Sequence, residues 1–388
     1  MSTFRSLISR NSDDELTPQQ THMYASETLV NFRTIARLCA TRSSYTLGVR
    51  DLAAEDLLSE LADLGEFAQI AYGTPEPGYL FSHLDMLMQP DFPFEGFNAL
   101  RDAELVGNFC GEVARVPVVV VYRKSLKQLV VGFSGTANIK QTLYDLYPIK
   151  QTHPTEQGCA VHSGFWTMYE GLQRGTFEHV ERGLRKHDVQ ELASVGHSMG
   201  GALAYYFALD FLSGTFPLPS GLRVKVATFG SPRTGDAALS ERWQERVSSY
   251  QTANGEGSVR EYRVNALNDG VPSLPPVSWG YRHLTRTPLY FYHGRLFQVP
   301  AVEGEHGVFA VALDALDKTR IPDHPKGGHN YYNGRDAEKI IRRIYWMNRL
   351  SKQSTNWEKD YLTKIAELER AWQVGHRADT SSGTSVVG

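Results

Sequence analysis

Between residues 52 and 348 the chain alternates short β-branched runs with longer stretches whose apolar residues recur at helical spacing. VPVVVVY at 116–122 and QLVVGF at 128–133 are separated by the polar RKSLK, a pattern that predicts a hairpin. RVKVATFG at 223–230 and EYRVNALND at 261–269 read as buried strands, and strands interleaved with helices argue for an α/β sheet protein. A further strand over 192–195 ends abruptly at a glycine, with a helix expected over 202–211. Ahead of this region, residues 1–50 are polar and mixed, with one helix carrying Leu29, Phe32, Ile35 and Cys39. Behind it, Trp357, Tyr361, Ile365, Leu368 and Trp372 follow at spacings of 4, 4, 3 and 4, one apolar face of a helix that Thr355 and Glu358 open as a capping box. That face is expected to dock on the domain's own surface, and the terminal TSSGTSVVG to be disordered. The chain therefore divides into an N-terminal helical extension (1–50), an α/β domain (51–350), and a C-terminal amphipathic helix with its tail (351–388).

Composition narrows the function classes. A net charge of −3 leaves no electrostatic footprint for nucleic acid. The longest uninterrupted apolar run is VPVVVVY, far below the roughly 18 residues of a membrane span, so no transmembrane segment is expected. The opening MSTFRSLISRNSDDELTPQQ has no apolar core of the length a secretory signal needs. Cys39, Cys110 and Cys159 are widely spaced and odd in number, giving neither a disulfide framework nor a zinc pattern. A reducing, cytoplasmic setting is the expectation, with no metal and no cofactor.

The stretch SVGHSMGGALA at 194–204 concentrates the chemistry. A nucleophile elbow is G-x-S-x-G on a strand–turn–helix, where the serine takes strained backbone angles and its neighbours two away must be small. Gly196 and Gly200 fill those places around Ser198, and Gly201 extends the allowance. His197 is a poor base for Ser198, because adjacent side chains on the turn do not face each other. It reads as a packing residue flanking the elbow.

A nucleophilic serine needs a base, an orienting acid and an oxyanion hole. On a strand–elbow–helix of this kind the chain order is Ser, then Asp or Glu, then His, which removes every histidine before Ser198. VNALNDGVPSLPP places Asp269 at the carboxyl end of a strand, where open α/β sheets carry their sites. His329 lies in KGGHNYYNGRDAEKII, a glycine-rich loop before an amphipathic helix expected near Arg335. His324, bracketed by Pro322 and Pro325, is the rival base.

Several blocks in order resemble the fungal-type class 3 lipase family: VVGFSGT (130–136), VHSGFWTMY (161–169), VGHSMGGALA (195–204), TFGSPRTGD (228–236), VNALNDGVPSLPP (264–276), GYRH (280–283) and HNYY (329–332). The resemblance covers roughly residues 55–350. It implies an α/β-hydrolase fold, a central mostly parallel sheet with helices on both faces, here with N- and C-terminal helical extensions. It also implies Ser198 as nucleophile, Asp269 as acid and His329 as base, with Thr136 and the Met199 backbone N–H forming the oxyanion hole. His162 and His283 sit in blocks that do not supply the base and are expected to be structural. Asp236, after Pro232 and Gly235, suggests a turn or helix cap rather than a rival acid.

The implied activity is serine carboxylic-ester hydrolysis of acylglycerols or related lipid esters through an acyl-enzyme. Phospholipase A1 or feruloyl-type esterase activity is the alternative within that class, and a catalytically silent hydrolase-like binding protein the alternative outside it. The expected partner is a lipid or other ester substrate, with peripheral contact at a lipid-droplet or membrane surface. Lys339, Arg342, Arg343 and Arg349, read as the outer face of a helix beside Trp346, would favour an anionic one. The family's lid carries a tryptophan that is missing from ANIKQTLYDLYPIKQTHP (137–154), which retains Leu143, Tyr144, Leu146, Tyr147 and Ile149 as an apolar face. The aromatic PLYFYHGRLF (288–297) is expected to give a late strand and part of the acyl-pocket wall.

Overall fold

The computed structural model describes residues 16–25, 27, 31–135, 149–216, 219–317, 319, 322–332 and 336–381. Its strands, in chain order, are β1 (Arg42–Leu47), β2 (Ala103–Cys110), β3 (Pro117–Arg123), β4 (Gln128–Phe133), β5 (Lys150–Thr152), β6 (Ala160–His162), β7 (Glu191–His197), β8 (Arg223–Phe229), β9 (Val259–Ala266), β10 (Pro288–Tyr292), β11 (Arg295–Gln298) and β12 (Val308–Val311). Eight of them form one sheet in the order β11-β10-β9-β8-β7-β4-β3-β2. The pairings from β4 through β7, β8 and β9 to β10 are parallel, and both flanks are antiparallel. The expected hairpin is β3–β4, and the late aromatic stretch forms the edge hairpin β10–β11. Two small pairs stand apart, β1 parallel to β12 and β5 antiparallel to β6.

The valine run of β3 shows why the sheet is a two-sided core. Successive side chains on a strand point to opposite faces. Val118, Val120 and Tyr122 join one apolar cluster, with helices 163–186, 199–212 and 237–254. Val119 and Val121 join the other, with helices 55–70, 337–351 and the start of 357–381. Helix 199–212 is apolar nearly all round, and every residue in it is buried, as expected for a helix covered on all sides. It begins at Met199, three residues earlier than its sequence suggests. Gly200 and Gly201 are poor helix formers, but close packing against β4 and β8 fixes them in the first turn.

Two expectations about the flanking helices change. Residues 1–50 hold two described α-helices, Pro18–Ala25 and Arg33–Cys39; Phe32 is not inside the second but caps it in the left-handed conformation (φ 55°), and Leu29 lies outside the described residues. Arg343 does not line an outer face. It is 6% exposed, with its guanidinium between Asp91 and Glu95 at 2.9 Å from each. The reason is geometric: its helix runs against the 91–97 loop, whose Phe92 and Phe94 are buried in the same cluster. In helix 357–381, Tyr361 and Ile365 are buried against the domain and Leu368 is 39% exposed, while the side chain of Trp372 and the final tail lie outside the described residues.

Candidate active site

The carboxyl ends of β4, β7, β8 and β9 lie side by side, and the candidate residues sit on the loops that leave them. Ser198 is the single residue between β7 and helix 199–212. Its backbone is at φ 60°, ψ −133°, a strained region for any residue with a Cβ. Its N–H donates to the Phe229 carbonyl at 2.9 Å. The flanking glycines are required by distance: a Cβ on Gly196 would lie 2.2 Å from the Gly200 carbonyl, and one on Gly200 would lie 2.1 Å from the Phe133 oxygen. Strand and helix meet here at backbone contact, with Ser198 at the turn between them.

Asp269 follows β9 in a loop held by the prolines after it, and it is buried. One carboxylate oxygen accepts the Val271 N–H at 2.9 Å. The other accepts Nδ1–H of His329 at 2.9 Å and the hydroxyl of Tyr332. Burial, then the adjacent Asp269 charge, pushes the Tyr332 hydroxyl well above its usual pKa, so it stays a donor. Because Nδ1 of His329 donates to the carboxylate, Nε2 carries the lone pair. That Nε2 is buried and has no hydrogen-bond partner among the described residues. Gly230 (φ 59°) leaves the space in which these groups converge, since a Cβ there would stand 2.6 Å from Asp269 Oδ2 and 3.0 Å from His329 Cε1.

His197 is more than a packing residue. Its ring centroid lies 4.4 Å from that of His329. Nε2 donates to the His329 carbonyl at 2.8 Å, which leaves Nδ1 to accept the Tyr72 hydroxyl at 2.7 Å. Desolvation, reinforced by the neighbouring His329, pushes its pKa down to about 3, so it is neutral at ordinary pH. The signal in the sequence is slight: a polar ring at the last position of an otherwise buried strand.

The other candidates fall away from this cluster. His324 stacks on Tyr331 at 4.2 Å, and its Nε2 lies 4.0 Å from Asp336, whereas the partner of Asp269 is His329. His283 donates Nε2–H to the Pro272 carbonyl at 2.9 Å, and burial holds its pKa well below the usual value. His162 and Asp236 cap the helices that follow them, by accepting the N–H groups of Phe165 and Leu239. Met199 opens the helix after the elbow, which places its N–H at a helix N-terminus. Thr136 and the lid face from Leu143 to Tyr147 lie outside the described residues. Hairpin β10–β11 lines a cavity of about 660 Å³ with Phe291 and Leu296, together with Leu58, Leu267 and Tyr331. Ser198 does not line it, so this cavity is not an acyl pocket opening on the serine. Among the described residues no cluster of His, Cys, Asp and Glu is placed to hold a metal ion.

The sequence and the fold find counterparts in known proteins. The model of the family Lipase (class 3) matches residues 130–279. Secreted mono- and diacylglycerol lipase 1 of Fusarium solani is 27% identical over 192 residues, 50% of this chain and 52% of that protein. Secreted mono- and diacylglycerol lipase A of Penicillium cyclopium is 28% identical over 157 residues, 40% of this chain and 46% of that protein. The chain thus spans about half the length of the curated relatives it matches. A solved triacylglycerol lipase whose catalytic centre is described as a serine protease triad superposes with a TM-score of 0.56, at 22% identity, over 74% of this chain and 98% of its own.

These relatives overturn the cytoplasmic expectation, because the lipases to which this chain is similar are named as secreted. The features behind that expectation have little bearing on compartment. Residues 1–15 lie outside the described residues, and three unpaired thiols, Cys110 exposed and Cys159 buried, show the disulfide chemistry of the chain and not its location. The chain is thus similar to the class 3 lipase family over residues 130–279 and shares the fold of a solved lipase.

Proposed function

We propose that this protein is a serine carboxylic-ester hydrolase that cleaves acylglycerols or related lipid esters outside the cell, through residues 51–350. The observation that carries this reading is the buried Asp269–His329 pair, with Nε2 of His329 unbonded beside the elbow that presents Ser198. His329 takes the Ser198 proton as the hydroxyl attacks the ester carbonyl, and Asp269 holds the imidazole and stabilises its cation. The Tyr332 hydroxyl and the Val271 N–H donate to the carboxylate and hold its orientation. The tetrahedral oxyanion rests on the Met199 N–H and on Thr136. Collapse releases the alcohol and leaves an acyl-enzyme, which water attacks with His329 again as base. Contact with a lipid surface falls on Ile149 and Trp279, 61% and 53% exposed, in stretches that a Lys150 Nζ to Gly280 carbonyl bond joins.

The test compares four proteins on acylglycerol emulsions and with a fluorophosphonate probe. Ser198→Ala should lose labelling and lower turnover by about four or more powers of ten. His329→Ala should behave alike, while His324→Ala should stay within about tenfold of the parent. An unlabelled parent, with no turnover of any ester, would favour the silent binding protein. Activity that survives Ser198→Ala would remove the nucleophile from this reading.

A further inference from the structure

The loop that delivers His329, residues 322–332, contains no helix or strand, and its Gly327 and Gly328 both sit at positive φ. Its internal bonds are two turns, Gly327 N–H to His324 and Gly328 to the Tyr331 N–H. Buried backbone groups must find partners somewhere. Here five of the partners are supplied from some three hundred residues away in sequence. The Pro322 carbonyl accepts Gln20 Nε2 at 2.6 Å, and the Lys326 N–H donates to the Tyr24 hydroxyl at 2.8 Å. The Gly327 carbonyl accepts Arg33 Nη1 at 2.9 Å. The N–H of His329 itself donates to the Asn31 carbonyl at 3.1 Å, and the next N–H, of Asn330, donates to Asn31 Oδ1 at 2.9 Å. Leu267 and Asn268, beside the acid, supply bonds from the β9 side, while His197 Nε2 donates to the His329 carbonyl and His293 Nε2 to the Pro325 carbonyl.

Side chains close the same contact. Glu27 accepts the Tyr331 hydroxyl, pairs with Arg33 at 2.5 Å and accepts Asn31 Nδ2 at 2.8 Å. Phe32, buried and held at positive φ, sets its ring edge-on to the His329 imidazole at 5.1 Å between centroids. Gly270, next to Asp269, has no room for a side chain because the Ala36 nitrogen would lie 2.4 Å from its Cβ. One short segment therefore touches both the base and the loop of the acid, and it lies outside the residues that the family model matches.

We infer that Asn31 and Phe32 are positioning residues for His329: the N-terminal segment holds the backbone and ring of the base in register with Asp269 and is a working part of the active site. This rests on the ester-hydrolase reading above. A misplacement of a catalytic group by about 1 Å can cost a hundredfold in rate, so a partial loosening should be visible in turnover while leaving substrate affinity alone.

The experiment uses the full chain with Asn31→Ala, Phe32→Ala and the milder Phe32→Leu, which keeps apolar volume but removes the ring edge. Leu38→Ala, on the same helix and 76% exposed, is the control. Turnover of a soluble p-nitrophenyl ester, the rate of fluorophosphonate labelling and the thermal midpoint are measured together. Expected is a fall of about tenfold in kcat and in labelling rate for Asn31→Ala and Phe32→Ala, with KM unchanged and the chain folded at the assay temperature. Phe32→Leu should lie between them and the parent, and Leu38→Ala should match the parent. Unchanged kcat in all three would overturn the proposal. A rise in kcat would also overturn it, because the segment would then be a cover that must withdraw. A parent that fails to label sinks the hydrolase reading and this proposal with it; a parent that labels, with variants that label equally fast, sinks this proposal alone.

Discussion

The Tyr72–His197–His329 bridge makes a quantitative prediction through a double-mutant cycle. Tyr72→Phe removes one hydroxyl and leaves His197 Nδ1 without a donor. His197→Phe leaves two groups unanswered, the Tyr72 hydroxyl and the His329 carbonyl. In the double variant only the His329 carbonyl is stranded. Orphaning a polar group inside a protein costs roughly 1–3 kcal/mol. At about 1.5 kcal/mol each, Tyr72→Phe costs about 1.5, His197→Phe about 3 and the pair about 1.5 kcal/mol. Additivity would require about 4.5, so the two substitutions should couple by about 3 kcal/mol. Urea unfolding of the four proteins gives these differences, with equal slopes checking that the denatured states are comparable. The same His197→Phe protein should show lower kcat, because the carbonyl it releases belongs to the base. Stability losses that add to within about 0.5 kcal/mol would show that the bridge is not a bonded unit, and the reasoning would fail.

Two further outcomes follow. Burial lowers the pKa of His162 to about 4 and desolvation lowers that of His197 to about 3, while His283 is held well below its usual value. All three are neutral in the folded chain and gain protons on unfolding below about pH 6.5, so stability should be full above that pH and fall as the solution is acidified toward pH 4, by roughly 1 kcal/mol per pH unit for each group. A thermal midpoint that stays flat from pH 7 to 4.5 would contradict this. For the lid, the missing tryptophan predicts hydrolysis of tributyrin below its solubility limit and only a modest rise once droplets form; a rate near zero followed by a steep rise would show a lid closed in water.

The parts legible in the sequence are those with a local physical cause. The valine run of β3 shows as a buried strand because both faces must be apolar. Gly196 and Gly200 show as an elbow because no other residue fits at backbone contact. Asp269 is legible from a strand end followed by prolines, and His329 from the glycines that let its loop turn. What was not legible depends on partners distant in sequence. Arg343 reads as a surface cation until Asp91 and Glu95 are seen around it, about 250 residues away. His197 reads as filler because its two partners, Tyr72 and His329, lie 125 and 132 residues from it. Phe32 fits a helical apolar stripe, and only the fold shows that it ends the helix and faces the base.

The order of strands in the main sheet has a consequence for how the protein is made. Every hydrogen-bonded neighbour from β2 to β11 is the next sheet strand along the chain. Each can dock on an edge that already exists as synthesis proceeds. The loop of His329 behaves in the opposite way. Its partners, Gln20, Tyr24 and Asn31, emerge early and must wait about three hundred residues for it. The sheet and the elbow can therefore form while the chain is still being extended, but the loop of His329 is fixed beside Asp269 only when the two distant stretches meet. On the proposed reading, a nascent chain carries Ser198 long before it carries a seated His329, and that delay would separate the folding of the scaffold from the onset of ester cleavage.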